Sequence, residues 1–331
     1  MTIHFGRREF IVTLGGAVAA WPLAAEAQQS AMPVVGFLNS SSPGGSAPRV
    51  AAFRQGINEA GYIEGRNVTI EYRWAEGHHD RLPELAADLA RRKVTVIAAT
   101  TTPASLAAKA ATATIPVVFE TAGDPVKLGL VASLNRPGGN LTGVTNLNVE
   151  VTPKRLEVLH EIIPTATAFA LLINSSNPTI AEATTRDIRA SARTLGVTLH
   201  VVSATTDKEI DDAFSSLAKL GAGGLVIGSD QFFSNRVERL ASLAVRYAVP
   251  AIYHWREFAA AGGLISYGTD VSHAYRLAGI YTARVLKGEK PADLPVQQAT
   301  KVELYIHLKT AKALGITVPL PLSGRADELI E

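Results

Sequence analysis

One segment of this chain is written twice. Leu38-Asn39-Ser40-Ser41-Ser42-Pro43 recurs as Ile173-Asn174-Ser175-Ser176-Asn177-Pro178, and Val68-Thr69-Ile70 recurs as Val197-Thr198-Leu199. Pro116-Val117-Val118-Phe119 recurs as Pro250-Ala251-Ile252-Tyr253. The three pairs keep their order at spacings of about 129 to 135 residues, which points to a duplicated architecture. Around them, short β-rich runs alternate with helical patterns. The first copy reads as strands at 32–39, 67–74, 94–99 and 116–120, with helices at 49–60, 80–92 and 104–113. The second reads as strands at 169–174, 197–202, 224–227 and 250–254, with helices at 181–195, 207–220 and 235–247. Such alternation predicts parallel sheets flanked by helices, so the fold class is α/β with two doubly wound, Rossmann-like lobes.

A chain of 331 residues is long enough for two such cores, and 47% hydrophobic with 19% charged residues is a globular composition. The net charge of +2 gives no sign of a nucleic-acid surface. The absence of cysteine excludes disulfides, thiolate metal sites, iron–sulfur clusters and cysteine nucleophiles.

The first 27 residues read as an address. Arg7-Arg8-Glu9-Phe10-Ile11 precedes an apolar run from Val12 to Ala25 and then Ala25-Glu26-Ala27, the order of a cleavable export signal; the paired arginines before Phe10 resemble the twin-arginine type, with the general export route as the alternative. Gly15, Gly16 and Pro22 interrupt the run, which is shorter than the roughly 20 residues a spanning helix needs. The mature chain is expected to start near Gln28 and, with no cysteine to carry lipid, to be free in the periplasm.

In open parallel sheets, ligands bind beyond the carboxyl ends of the strands, at the switch point. Two facing lobes would bring both sets of strand ends to one cleft. The candidate ligand-binding residues are therefore Asn39, Ser40 and Ser41, with Asn174 and Ser176 in the second copy. Plain N-capping is the competing use of these residues. Thr101 and Thr102 follow the strand at 94–99, and Asp230 stands in the corresponding place of the second copy. Hydroxyls on one wall and a carboxylate on the other suit a zwitterion, with Asp230 on its ammonium; a helix cap is the rival role for Asp230. Thr121 and Asp124 follow the strand at 116–120, where Asp124 competes as a turn residue. Tyr253 ends its matching strand and Tyr267 a further strand at 263–266; both are candidate walls of an apolar pocket, or ordinary core.

The stretches Asp124-Pro125-Val126-Lys127-Leu128-Gly129-Leu130-Val131 and Pro137-Gly138-Gly139-Asn140-Leu141-Thr142-Gly143-Val144 resemble the ABC-transporter substrate-binding family that includes tryptophan/tyrosine transport components. Residues 304–314 and Gly61-Tyr62-Ile63-Glu64-Gly65-Arg66-Asn67-Val68 are similar to it too, and the resemblance covers about residues 31 to 325. It implies a type I periplasmic-binding-protein fold, with a ligand cleft between lobes joined by several crossings near a hinge. By that analogy lobe 1 is 31–147 plus 270–295, and lobe 2 is 150–269 plus 297–325. It also implies a small-molecule ligand, in several members an aromatic amino acid, passed to an ABC permease. The positions matching the family's cleft are Asn39, Ser41, Thr101, Thr121, Asp124, Asn174, Asp230 and Tyr253. Some members are anchored by a lipidated cysteine, which this chain lacks, so it is expected to reach its permease by diffusion.

An enzyme is the opposing reading. The sequence contains no Gly-x-Ser-x-Gly elbow, phosphate loop, Gly-x-Gly-x-x-Gly fingerprint or His-Glu-x-x-His pair. His78-His79-Asp80 is better read as a solvated loop than as a metal site. The expectation is a monomeric binder with no cofactor, no metal and no nucleic-acid partner. A sensing module for a membrane receptor is the alternative to transport, and a cofactor-free two-lobed enzyme a more distant one.

Overall fold

The computed structural model describes residues 32–299 and 301–331, so the expected export signal at 1–27 lies outside the described residues. The first lobe carries β1 (Val34–Asn39), β2 (Thr69–Trp74), β3 (Val96–Ala99), β4 (Val117–Thr121) and β5 (Leu141–Thr145), with α1 (Pro43–Glu59), α2 (Leu82–Arg91) and α3 (Thr102–Ala111) between them. The chain then crosses into α4 (Thr152–Ile162), β6 (Ala168–Ile173), α5 (Pro178–Leu195), β7 (Thr198–Ser203), α6 (Asp207–Leu217) and β8 (Gly224–Ile227). It continues through α7 (Gln231–Ser234), α8 (Val237–Arg246), β9 (Ala251–Tyr253), α9 (Arg256–Ala260) and β10 (Ile265–Thr269). A second crossing returns it as α10 (Val271–Leu286) and β11 (Gln297–Gln298). A third leads to β12 (Val302–His307), α11 (Leu308–Ala313), α12 (Leu320–Ser323) and β13 (Glu328–Ile330).

The sheets run β11-β5-β4-β3-β1-β2 and β13-β12-β10-β9-β8-β6-β7. Both contain the doubly wound order 2-1-3-4-5, parallel throughout, with the switch point beside the first strand of each copy. Strands buried on both faces explain the near-continuous Val/Ile/Leu/Ala runs. In β1, Phe37 joins the core under α1 and α10, whereas Leu38 joins the core under α2 and α3. In β6, Ala170 and Leu171 divide in the same way between two cores.

Three departures from the sequence reading affect the site. The first helix starts at Pro43 rather than at 49 and tolerates Pro48 inside it, where the carbonyl that loses its partner belongs to exposed Gly44. The strand expected at 263–266 extends to Thr269 because it is paired on both sides, parallel to β9 and antiparallel to β12. Gln297–Gln298, placed in lobe 2 by the family analogy, pairs with β5 and so belongs to the first sheet.

The returning helix α10 lies on α1 through two glycines. A Cβ at Gly56 would sit 1.9 Å from the Arg276 carbonyl oxygen, and one at Gly279 would sit 2.1 Å from that of Phe53. Among the described residues, no helix is long and apolar enough to cross a membrane.

Candidate functional site

The repeated asparagines fold alike. Asn39 Oδ1 accepts from the Ser41 amide at 2.7 Å, and Asn174 Oδ1 from the Ser176 amide at 3.0 Å. Each is an Asx turn that carries the chain from strand into helix. The helix caps themselves, Ser42 and Asn177, make no side-chain cap bond, so the expected capping role falls to the turn instead. Each asparagine then spends its amide on the end of the neighbouring strand. Asn39 Nδ2 donates to Thr100 Oγ1 at 2.9 Å, and Asn174 Nδ2 donates to Asp230 Oδ1 at 2.8 Å.

These strand ends enclose a cavity between the lobes, with about 550 Å³ of space free of protein atoms including its open mouth. Of the residues expected there, Ser40, Thr101, Thr102 and Asp230 line it. Asn39, Thr121 and Asn174 sit one bond behind, Asn39 through the Tyr275 hydroxyl at 3.2 Å and Thr121 sharing a 2.6 Å hydroxyl contact with Thr102. Ser41 and Ser176 do not line the cavity but mark where the lobes touch: Asn235 Nδ2 donates to Ser41 Oγ at 2.6 Å, and Nδ1 of His79, a residue of the cavity wall, lies 3.1 Å from the Ser176 carbonyl oxygen.

Three candidates are placed elsewhere. Asp124 closes a turn, accepting from the Val126 amide at 2.9 Å. Tyr253 is fully buried and stacked on Phe258 at 4.6 Å, inside the core of the second lobe. Tyr267 falls inside the lengthened β10, packed against the opposite core.

The strongest charges of the cavity were not among the expected residues. Arg49 sits on the buried stripe of α1 with Ser46, Phe53, Gly56 and Ile57, 3% exposed. Its guanidinium bonds only neutral oxygens, on Gln231, Gly45 and Asn235, and lies 4.9 Å from the centre of the Trp255 ring. Gln231, Asn235 and Trp255 belong to the second lobe, so Arg49 also joins the two walls. Burial lowers its pKa, opposed by the nearby Tyr275, Glu120 and Glu257. Glu120 is 4% exposed at the end of β4, and Asn146 Nδ2 donates to its Oε1 at 2.6 Å. Burial pushes its carboxyl up to about 8, against the pull of that bond and of Arg49.

Asp230 accepts from Asn174, Asn177 and the Phe232 amide, each at 2.8 Å and each uncharged. Three unpartnered polar atoms belong to residues of the cavity wall: Ser40 Oγ, His254 Nδ1 and Trp255 Nε1. Buried atoms of this kind are rare in folded proteins. Burial, then Arg155 and Arg49, keeps His254 well below its usual range and hence neutral.

The floor of the cavity is formed where the chain crosses between the lobes. Thr269 Oγ1 donates to the Asn146 carbonyl at 2.8 Å, and its amide to Asn148 Oδ1 at 3.2 Å, so the first two crossings are laced together. Arg155 of α4, fully buried, donates to Asn148 at 2.9 Å, to the Tyr267 carbonyl at 2.7 Å and to Ser229 Oγ at 3.2 Å. Glu120, Asn146, Asn148, Arg155 and Ser229 thus form one hydrogen-bonded path from wall to wall.

Against known proteins, residues 42–330 match the family described as ABC transporter substrate binding protein. The chain is 27% identical over 266 residues to a tyrosine-binding protein of Clostridioides difficile (strain R20291), covering 80% of this chain and 75% of that one. It superposes on a conserved domain protein of Vibrio cholerae O1 biovar eltor with a TM-score of 0.82 at 25% identity. The TM-score is 0.81 at 24% identity for an ABC domain from Streptococcus pneumonia in complex with L-Trp; both alignments cover 90% of this chain and 99% of the other. The chain belongs to the ABC transporter substrate binding protein family, with the two-lobed α/β fold of periplasmic binding proteins.

Proposed function

We propose that this chain is the exported capture component of an ABC importer, and that its interlobe cavity closes over an amino acid held as a zwitterion. The observation that carries the reading is one cavity lined by a buried arginine, Arg49, and by two carboxyl groups, Glu120 and Asp230, with no ion pair formed by any of them among the described residues. Arg49 bonds only neutral oxygens, and Asp230 bonds only neutral donors. Buried charges are held this way at a cost of several kcal/mol unless a partner arrives. A ligand carboxylate near Arg49, with the Trp255 and Ser40 donors lining the same cavity, would supply one. Trp255, Pro103, Ile180 and Val271 give that cavity its apolar surface, which suits an aromatic side chain. The tyrosine-binding and L-Trp-bound relatives support the same class.

The described conformer is closed, since Arg49, Ser41 and His79 of one lobe bond Gln231, Asn235 and Ser176 of the other. Entry requires these contacts to open, and a ligand favours closure only through contacts it makes with both walls. Hand-over to a membrane permease and residence in the periplasm complete the proposal. The test is a thermal-shift screen of the purified protein against the L-amino acids and their deaminated and decarboxylated analogues. At a ligand concentration about 100 times Kd, mass action adds about 2.7 kcal/mol of stability, a readily measured shift. A shift with intact amino acids only supports the reading. Chemical turnover of any compound, or shifts confined to uncharged solutes, would sink it.

A further inference from the structure

We propose that Glu120, rather than Asp230, receives the ammonium of the bound amino acid, and that it gives up a proton to solvent in doing so. The inference rests on the proposed function and assigns a partner within it. An ionised carboxylate offers about four acceptor positions. Asp230 has three of them filled, by Asn174, Asn177 and the Phe232 amide, because it is also the cap of α7. Glu120 has one filled, by Asn146, and among the described residues its second oxygen has no hydrogen-bond partner. An ammonium spreads its donors over several acceptors, and Glu120 keeps about three positions open to it against one on Asp230.

The surroundings fit. Arg49 from α1 and Tyr275 from α10 bear on Glu120 electrostatically. His79, His254 and Asp230 share the cavity with it. Arg49 is bonded to Gly45, Gln231 and Asn235, so it leaves Glu120 without an ion pair of its own. Tyr275 donates to the Thr100 carbonyl and accepts from Asn39, so it does not satisfy Glu120 either. In the empty cavity burial keeps the carboxyl protonated up to about pH 8. The step balances as carboxylic acid plus ammonium giving a carboxylate–ammonium pair and one proton released.

The sign follows from linkage. Empty protein holds the proton below about pH 8 and ligand favours the ionised form, so affinity rises with pH. Between pH 6 and about 7.5 the expected gain approaches tenfold per pH unit, levelling off near pH 8.

The experiment is calorimetric titration of the wild-type protein with L-tryptophan, L-tyrosine and every other L-amino acid that raises the melting temperature. Each is repeated at pH 7 in buffers of different ionisation enthalpy, beside its deaminated counterpart. The expected result is release of a large fraction of one proton per amino acid, and none for the deaminated compound. In Glu120→Gln the release disappears and the pH slope flattens; in Asp230→Asn binding weakens but the release persists. The wild-type proton count needs no variant, so a poorly folding variant leaves the test intact. Amino-acid binding without proton release, or release lost in Asp230→Asn and kept in Glu120→Gln, overturns this inference alone. Binding only of compounds without an ammonium, or no binding of any amino acid, overturns it together with the proposed function.

Discussion

The two lobes solve one backbone problem in the same way and a chemical problem differently. Asn39 and Asn174 make the same turn, leave the same strand and brace the same neighbouring strand end. In the first lobe the braced partner is a neutral threonine, and the same amide also reaches the Tyr275 hydroxyl at 3.2 Å. In the second lobe it is the carboxylate of Asp230. The frame is shared, and the residue at the end of the strand beside the asparagine differs, a threonine in one lobe and an aspartate in the other. Of the charged residues of the first lobe, Arg49 stands on a helix, and Glu120 ends the strand matched by Pro250-Ala251-Ile252-Tyr253, where its counterpart in the second copy is His254, a neutral residue of the same cavity.

Several substitutions would break or sharpen that comparison, beginning with the largest. Arg155 serves the second lobe and the hinge but has no counterpart in the first. Arg155→Leu should cost about 3 kcal/mol or more by orphaning buried oxygens around Asn148, Ser229 and Tyr267, read as a lowered urea midpoint. An unchanged midpoint would remove the hinge role. Gly279→Ala strains only the first lobe, where its Cβ would meet a backbone oxygen at 2.1 Å. It should lose about 1–3 kcal/mol in the same measurement, with more if α10 cannot shift from α1.

The asparagine pair is the sharper instrument. Asn39→Ala should lower stability by about 1–2 kcal/mol, with ligand affinity affected less. Asn174→Ala removes a donor from Asp230 and should weaken amino-acid binding about tenfold. Equal effects of the two on binding would show that the carboxylate makes no difference. The smallest effect belongs to Tyr253→Phe. Its hydroxyl makes one long bond, 3.4 Å to the Leu240 carbonyl, so stability should change by less than about 1 kcal/mol and affinity not at all.

The repeat was legible because strand-end turns are written in short-range residue patterns. The same rule located Ser40, Thr101, Thr102 and Asp230 at the cavity. It failed at Tyr253 because strand order puts that side chain into the core. The chain turns at His254, and the turn into α9 aims Trp255 at the cavity instead. Arg49 stayed hidden for another reason. With the helix begun at 49, its spacing from Ser46 on one buried face could not be seen. Read from Pro43, the series Ser46, Arg49, Phe53 and Ile57 sets an arginine in an otherwise core-facing stripe. Glu120 was in view beside Thr121, but its burial depends on α1 and α10 packing over the first sheet, a long-range contact that no local pattern encodes. Asn146 and Asn148 are equally silent in sequence, since their work is to lace chain crossings that are distant along the chain.

Capture between two walls is tested most directly by small-angle X-ray scattering. The purified protein should show a radius of gyration larger than that of the closed conformer when empty. It should contract to the closed value on saturation with an amino acid that raises the melting temperature. Contraction that fails in Asp230→Asn at the same ligand concentration would tie it to the second wall. Saturation by the ligand with no change of dimensions from an open empty state would contradict the account.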